Sequence, residues 1–302
     1  MDSKTETFEA ARSRLIGLAY RLLGSMSDAQ DVVQDTYIKW IVHKDNVDVP
    51  IAWLTRVCTN HCLDQLQSAR YKRVDYVGQW LPEPIQIEFE SSREEQIDMA
   101  SSLTTAFLLL LERLTPKERA AYILHDIFSM PFDEVAAILD LQPANCRKLA
   151  TRAREHVVKN KVRYIPEQQR QQDLLQAFQD AIETGNTNEL SAMLCVDSTL
   201  HADSGGKVKA VLEILQGQQT ICIFISDVLS DPWSKLCITQ RIIDGSLGLL
   251  IQDKNDIYAT ISFGYDTKGQ VSHIYIMRNP DKLVPFVQSK WVASDLGQLI
   301  IK

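Results

Sequence analysis

The 302-residue chain predicts a multi-domain protein in which two all-α units precede an α+β unit. Three observations carry that reading. Apolar residues recur at helical spacing through about residue 165. The periodicity lapses over 74–98, where Trp80-Leu81-Pro82-Glu83-Pro84 cannot form a regular helix, because two prolines remove donors and fix φ. After Pro166 come four β-type runs, Lys235–Ile243, Leu247–Gln252, Ile257–Tyr265 and Val271–Met277. Asp244-Gly245, Asp253–Asp256 and Asp266–Gly269 separate them as hairpin-type turns. The expected divisions are 1–74, an acidic Pro-containing linker over 75–97 that is solvated, 98–165, and 166–302.

The elements follow in order. Phe8, Leu15, Leu18, Ala19 and Leu22 repeat at helical spacing, and Gly24 ends that helix. Ser27-Asp28-Ala29-Gln30 has the form of a capping box and opens a second helix, with Ala29, Val32, Val33, Thr36 and Trp40 on one face. Asp28, Asp31 and Asp35 lie on another face. Pro50 opens a third helix through Trp53, Leu54, Val57, Cys58 and Leu66. Thr115-Pro116-Lys117-Glu118 combines a capping box with proline at the first helical position. A short helix over Asp133–Leu139, a turn over Asp140–Pro143 and a basic helix from Ala144 to about Lys159 make a helix-turn-helix outline. Beyond Pro166 the pattern predicts helices over Gln168–Glu183, Leu190–Leu194 and Val208–Leu215 before the strands.

The net charge of −7 excludes a generic nucleic-acid binder, but charge is distributed in blocks. Ala144 to Arg163 holds seven bases against one acid, so a local DNA-binding helix is compatible with an acidic chain. The segment after Pro166 is the acidic part. No apolar run reaches the ~18 residues of a membrane span, and the first residues carry no basic-then-apolar signal. Six cysteines in a chain this long do not make a disulfide framework, so a reducing cytoplasm fits best.

In the basic helix, Cys146, Ala150, Ala153 and Val157 form an inward seam. Arg147, Thr151 and Arg154 occupy the opposite face, with Lys148 and Arg152 beside it and Asn145 at its start. Long donors on that face suit phosphates and guanine edges in a major groove; a solvated basic helix is the plainer alternative. Trp53, Arg56 and Asn60, followed by Arg70, Tyr71, Lys72 and Arg73, interleave bases and aromatics as single-stranded DNA would require. Core packing of Trp53 is the competing account. Cys58, His61 and Cys62 share a helical surface, but no second Cys/His cluster completes a metal site, so no metal is expected.

Taken together, these motifs resemble the extracytoplasmic-function (ECF) sigma factors of the sigma-70 class. Ala19-Tyr20-Arg21-Leu22-Leu23-Gly24 followed by Asp28-Ala29-Gln30-Asp31-Val32-Val33-Gln34-Asp35 resembles the core-binding helix of their region 2. Ala52-Trp53-Leu54-Thr55-Arg56-Val57 with Asn60, Asp64 and Arg70 resembles the helix that melts and reads the −10 element. Leu114-Thr115-Pro116-Lys117-Glu118-Arg119 with the helix-turn-helix resembles region 4, the reader of the −35 element. Trp80–Pro84, Asp203-Ser204-Gly205-Gly206-Lys207 and Asn279-Pro280-Asp281-Lys282-Leu283 are similar to signatures of the subgroup with a fused SnoaL-like domain, a cone-shaped α+β barrel. Ser204 stands where that signature has a glycine.

The resemblance implies an alternative sigma factor, not an enzyme and without cofactor. Its partners would be core RNA polymerase, through Asp28, Asp31 and Asp35, and promoter DNA as −35 duplex and −10 single strand. Trp80, Asp203, Lys207, Asn279, Asp281 and Lys282 would form the regulatory contact between the C-terminal domain and the sigma core. Two alternatives stay open. One is a DNA-binding regulator that senses a small ligand in its C-terminal pocket without touching polymerase. The other is a SnoaL-type enzyme fused to a DNA-binding module, with His201, Asp203 and His273 as acid–base candidates.

Overall fold

The computed structural model describes residues 3–43, 47–72, 76–88, 100–160, 164–254, 256–288 and 290–292. Helix α1 (Ser3–Leu23) ends at Gly24, whose φ of +68° turns the chain; a Cβ there would lie 2.8 Å from the Trp80 ring. Helix α2 (Met26–Val42) is capped two residues earlier than expected. Ser25, not Ser27, is its N-cap, accepting from the Asp28 N–H. The shift has a cause remote in sequence: the Glu83 carboxylate accepts from Met26 N (2.7 Å), Ser27 N (3.0 Å) and the Ser25 hydroxyl (3.0 Å). It satisfies helix-terminal donors that nothing local could. Helix α3 spans Pro50–Lys72.

Helices α4 (Thr105–Glu112) and α5 (Pro116–Tyr122) follow, α5 held by the expected capping box of Thr115 and Glu118. The chain continues through a π-turn, Ile123–Ile127, into α6 (Phe132–Leu139). Asp140 adopts φ +52°, and α7 (Pro143–Asn160) completes the helix-turn-helix. Cys146, Ala150, Ala153 and Val157 are all buried, which lets α7 lie close against α5. The two helical segments do not have separate cores. Leu15, Leu18 and Met26 belong to the same continuous apolar cluster as Phe107, Ile123, Val135 and Val157, and α3 packs on both α5 and α6.

The remainder comprises α8 (Gln168–Thr184), α9 (Asn188–Met193), β2 (Leu194–Asp203), β3 (Leu215–Gln216), α10 (Gln218–Phe224) and α11 (Ser230–Trp233). After these come β4 (Cys237–Ile243), β5 (Ser246–Asp253), β6 (Asp256–Tyr265), β7 (Val271–Met277), α12 (Pro280–Gln288) and β8 (Lys290–Val292). The four expected strands are present as a meander. Two expectations are corrected. Residues 208–214 are not helical, and the helix lies beyond Gly217. Leu194 opens a strand, masked in the sequence by a register shift between Leu194 and Thr199 that interrupts alternation.

The linker expectation is corrected for its described part. Residues 79–86 are not solvated: Leu81, Glu83 and Ile85 are buried, and Gln86–Glu88 forms β1 of the C-terminal sheet, between β4 and β8. The sheet order is β3-β2-β7-β6-β5-β4-β1-β8. One face carries Leu200, Ile261, Phe263, Ile274 and Ile276 against Leu174 and Phe178 of α8 and Trp233 of α11. The opposite face presents Tyr275 and Met277 to Leu81 and to Ala106 of α4. The sheet is therefore wedged between its own helices and the helical half.

Candidate nucleic-acid interface and the interdomain contact

On α7 the side chains of Asn145, Arg147, Lys148, Thr151 and Arg152 are exposed, opposite the buried seam. Arg154 is half-exposed, its Nε donating to the Asp126 carboxylate at 2.5 Å. On α3, Arg56 and Asn60 are exposed. Trp53 is half-buried, its ring 5.3 Å from Trp40 and 4.9 Å from His43, in an aromatic cluster at the helix start. Arg70 and Lys72 fall in the last turn of α3; their side chains, and Arg73 altogether, lie outside the described residues. Asp28, Asp31 and Asp35 are exposed along one edge of α2, with Asp35 3.9 Å from the His61 ring. Cys58 and Cys62 are fully buried, and burial pushes the Cys62 thiol well up.

The six residues expected at a regulatory contact converge. Asp203, at the end of β2, is fully buried. Its Oδ1 accepts from the Tyr76 hydroxyl (2.6 Å) and Gly205 N (3.0 Å), and its Oδ2 from Leu81 N (2.8 Å) and Lys282 Nζ (2.7 Å). Lys282 also donates to the Leu81 carbonyl at 2.6 Å and lies 4.4 Å from the Trp80 ring centre. Asn279 donates to the Tyr76 oxygen at 2.8 Å and accepts from Asp281 N at 3.1 Å, while Lys207 pairs with Asp281 at the surface. A buried carboxylate thus meets one ammonium and three other donors, which satisfies both charges.

The glycines in this turn are specific in their placement. Gly205 (φ +57°) would put a Cβ 2.5 Å from Asn279 Nδ2, and Gly206 (φ +72°) one 2.9 Å from Val77. Ser204 is not among the positive-φ residues, and its hydroxyl accepts from Gly206 N, so a side chain is tolerated where the signature has glycine.

His201 and His273 share the docking face with Asp203, because residues two apart on a strand point the same way. The His201 ring is paired with Gln79 (2.7 Å) and Thr199 (2.9 Å). Burial, with His273 and Arg113 nearby, lowers its pKa to about 4. None of the three acid–base candidates faces the apolar interior beneath α8, and the oxygens of Asp203 are occupied.

Sequence reasoning did not find three further contacts. Asp244, in the β4–β5 turn, is buried; it accepts from Ile85 N (2.8 Å) and the Thr105 hydroxyl (2.6 Å). Desolvation raises its pKa to about 7. Arg21 of α1 donates to Ser102 at 3.0–3.1 Å, and Arg119 of α5 donates to the Leu22 carbonyl at 2.6 Å and to Glu112 at 2.7 Å. These arginines couple α1 to Ser102 and to α5. The only available signal was an Asp-Gly turn and arginines within apolar stretches.

Comparison with known proteins agrees with this geometry. Family models match as sigma-70 region 2 over residues 7–71 and sigma-70 region 4 over 104–157. The ECF RNA polymerase sigma factor SigJ of Mycobacterium tuberculosis is 34% identical over 220 residues, 72% of this chain and 70% of that one. The chain belongs to the ECF sigma factors. A probable ECF sigma factor, SigI of M. tuberculosis, is 28% identical over 196 residues, 64% of this chain and 67% of its own. The crystal structure of M. tuberculosis SigJ superposes with a TM-score of 0.71 at 28% identity, over 93% of this chain and 98% of that one. This sigma factor therefore combines helical sigma domains with a C-terminal sheet-containing domain. Among the described residues, no helix is long and apolar enough to cross a membrane.

Proposed function

We propose that this alternative sigma factor is regulated in cis by its C-terminal domain, read as a SnoaL-like cone, which holds the sigma domains in a closed arrangement. The observation that carries this is the grip of Asp203 and Lys282 on Leu81, beside a β1 strand lent by the linker to the C-terminal sheet. The −35 reader would be α7, through Asn145, Arg147, Lys148, Thr151 and Arg152. The −10 reader would be α3, through Arg56, Asn60 and its terminal basic residues. Asp28, Asp31 and Asp35 would meet core polymerase.

Two promoter elements separated along DNA cannot be reached while α3 packs on α6 in one core. Promoter engagement then requires opening, and the Asp203–Lys282 contact opposes it. The small-ligand alternative is less favoured, because the apolar interior beneath α8 is filled by Phe178, Phe263 and Trp233. The enzyme alternative is less favoured because its candidate residues face the helical half.

The test uses full-length protein with core polymerase in a reconstituted transcription assay at limiting sigma. Lys282→Ala should raise promoter-dependent transcription relative to wild type. Equal transcription by variant and wild type, with Leu81 released in the variant, would remove the cis-regulatory reading.

A further inference from the structure

Arg147 and Arg154 stand seven residues apart on the same face of α7, yet the structure treats them differently. Arg154 is tied by its Nε to Asp126, which the π-turn Ile123–Ile127 brings beneath the helix. The second Asp126 oxygen is buried without a hydrogen-bond partner, and among the described residues Arg154 is the cation paired with this carboxylate. Among the described residues no carboxylate pairs with Arg147. Its guanidinium lies instead 5.6 Å from the centre of the Phe132 ring, at the start of α6. That ring also stacks on His125 at 3.8 Å and 23°, and His125 is anchored to the Met130 carbonyl at 2.7 Å. A guanidinium laid against a fixed aromatic face keeps its donors free and loses less freedom on binding.

We propose that Phe132 and Asp126 are positioning residues for promoter reading: Phe132 sets Arg147 for a base-edge contact, and Asp126 holds Arg154 as a strut that fastens α7 to the π-turn ahead of α6. This rests on α7 being the −35 reader. A pair to Asp126 also neutralises Arg154, so the uncompensated charge of the face is concentrated at Arg147, Lys148 and Arg152. Arg154 is thereby reassigned from a DNA-reading residue to a strut.

Reconstituted holoenzyme is given a pool of promoters with a randomised upstream element, and the bound sequences are read. Arg147→Ala should abolish the preference at one base pair. Phe132→Leu should weaken that same preference about ten-fold, and Phe132→Tyr, which keeps the ring, should retain it. Arg154→Ala should leave the preferred sequence unchanged. Asp126→Asn should also leave it unchanged while steepening the salt dependence of binding by about one phosphate contact, through the freed Arg154 charge. Loss of a base preference in Arg154→Ala, or wild-type preference in Phe132→Leu, would overturn the proposal. An unchanged selection in the triple variant Arg147→Ala, Lys148→Ala, Arg152→Ala would overturn the reading of α7 itself, and the two failures are thereby told apart.

Discussion

Replacing Asp203 by asparagine tests the interdomain contact with almost no change of shape. The carboxylate now accepts four hydrogen bonds, two on each oxygen, one of them from the Lys282 ammonium. An amide keeps one acceptor and turns an NH2 group toward either Tyr76 and Gly205 or Leu81 and Lys282. Either way two donors lose the carboxylate oxygen they now share, and the ammonium, 10% exposed, loses the negative charge of Asp203. Breaking a buried pair from one side costs about 3–5 kcal/mol. If the contact holds the closed arrangement, that cost falls on the closed state, because opening returns Lys282 and Leu81 to water. At about 1.4 kcal/mol per tenfold change, the open population rises by at least roughly 100-fold. Native-state hydrogen exchange reads this at one atom, the Leu81 amide, which donates to Asp203. Its protection should fall by that factor, while amides of the β5–β6 ladder keep theirs. Wild-type protection at Leu81 in the folded variant would refute the assignment of Asp203 as the closing residue.

Three further outcomes are expected. Asp244 is raised to about 7 by desolvation, so the folded protein binds a proton there that the unfolded chain does not, between about pH 4 and about pH 7. Stability against urea should therefore increase as pH falls through that window, and Asp244→Asn should flatten the dependence; identical profiles would dismiss the buried carboxyl as its source. Glu83→Gln leaves an amide where a carboxylate caps α2, and should cost about 1–2 kcal/mol in urea unfolding. Asp31→Lys with Asp35→Lys, both exposed, should weaken core-polymerase binding in a pull-down while leaving the melting temperature near wild type. Undiminished capture would remove the acidic edge of α2 from that role.

The sequence by itself determined whatever a short stretch of chain can settle. The Thr115 capping box needs only Glu118, three residues on. The small-residue seam of α7 and the exposure of Arg147, Lys148 and Arg152 follow from helical periodicity. The four strands follow from alternation and their turns. Ordered motifs of this kind also made the sigma-factor family legible, since each is local. Only the tertiary structure decided the rest, because the partners are remote. Glu83 caps a helix 57 residues upstream and so moves the expected start of α2. Asp203 meets Leu81 across 122 residues and Tyr76 across 127, which turns an apparent linker into buried structure. β1 acquires its strand identity from β4 and β8, not from its own three residues. Arg154 looked equivalent to Arg147 until the π-turn placed Asp126 against it. In the first three cases the deciding term is a buried carboxylate or backbone donor satisfied from another part of the chain, and in the last it is an acid 28 residues away; no local pattern records either.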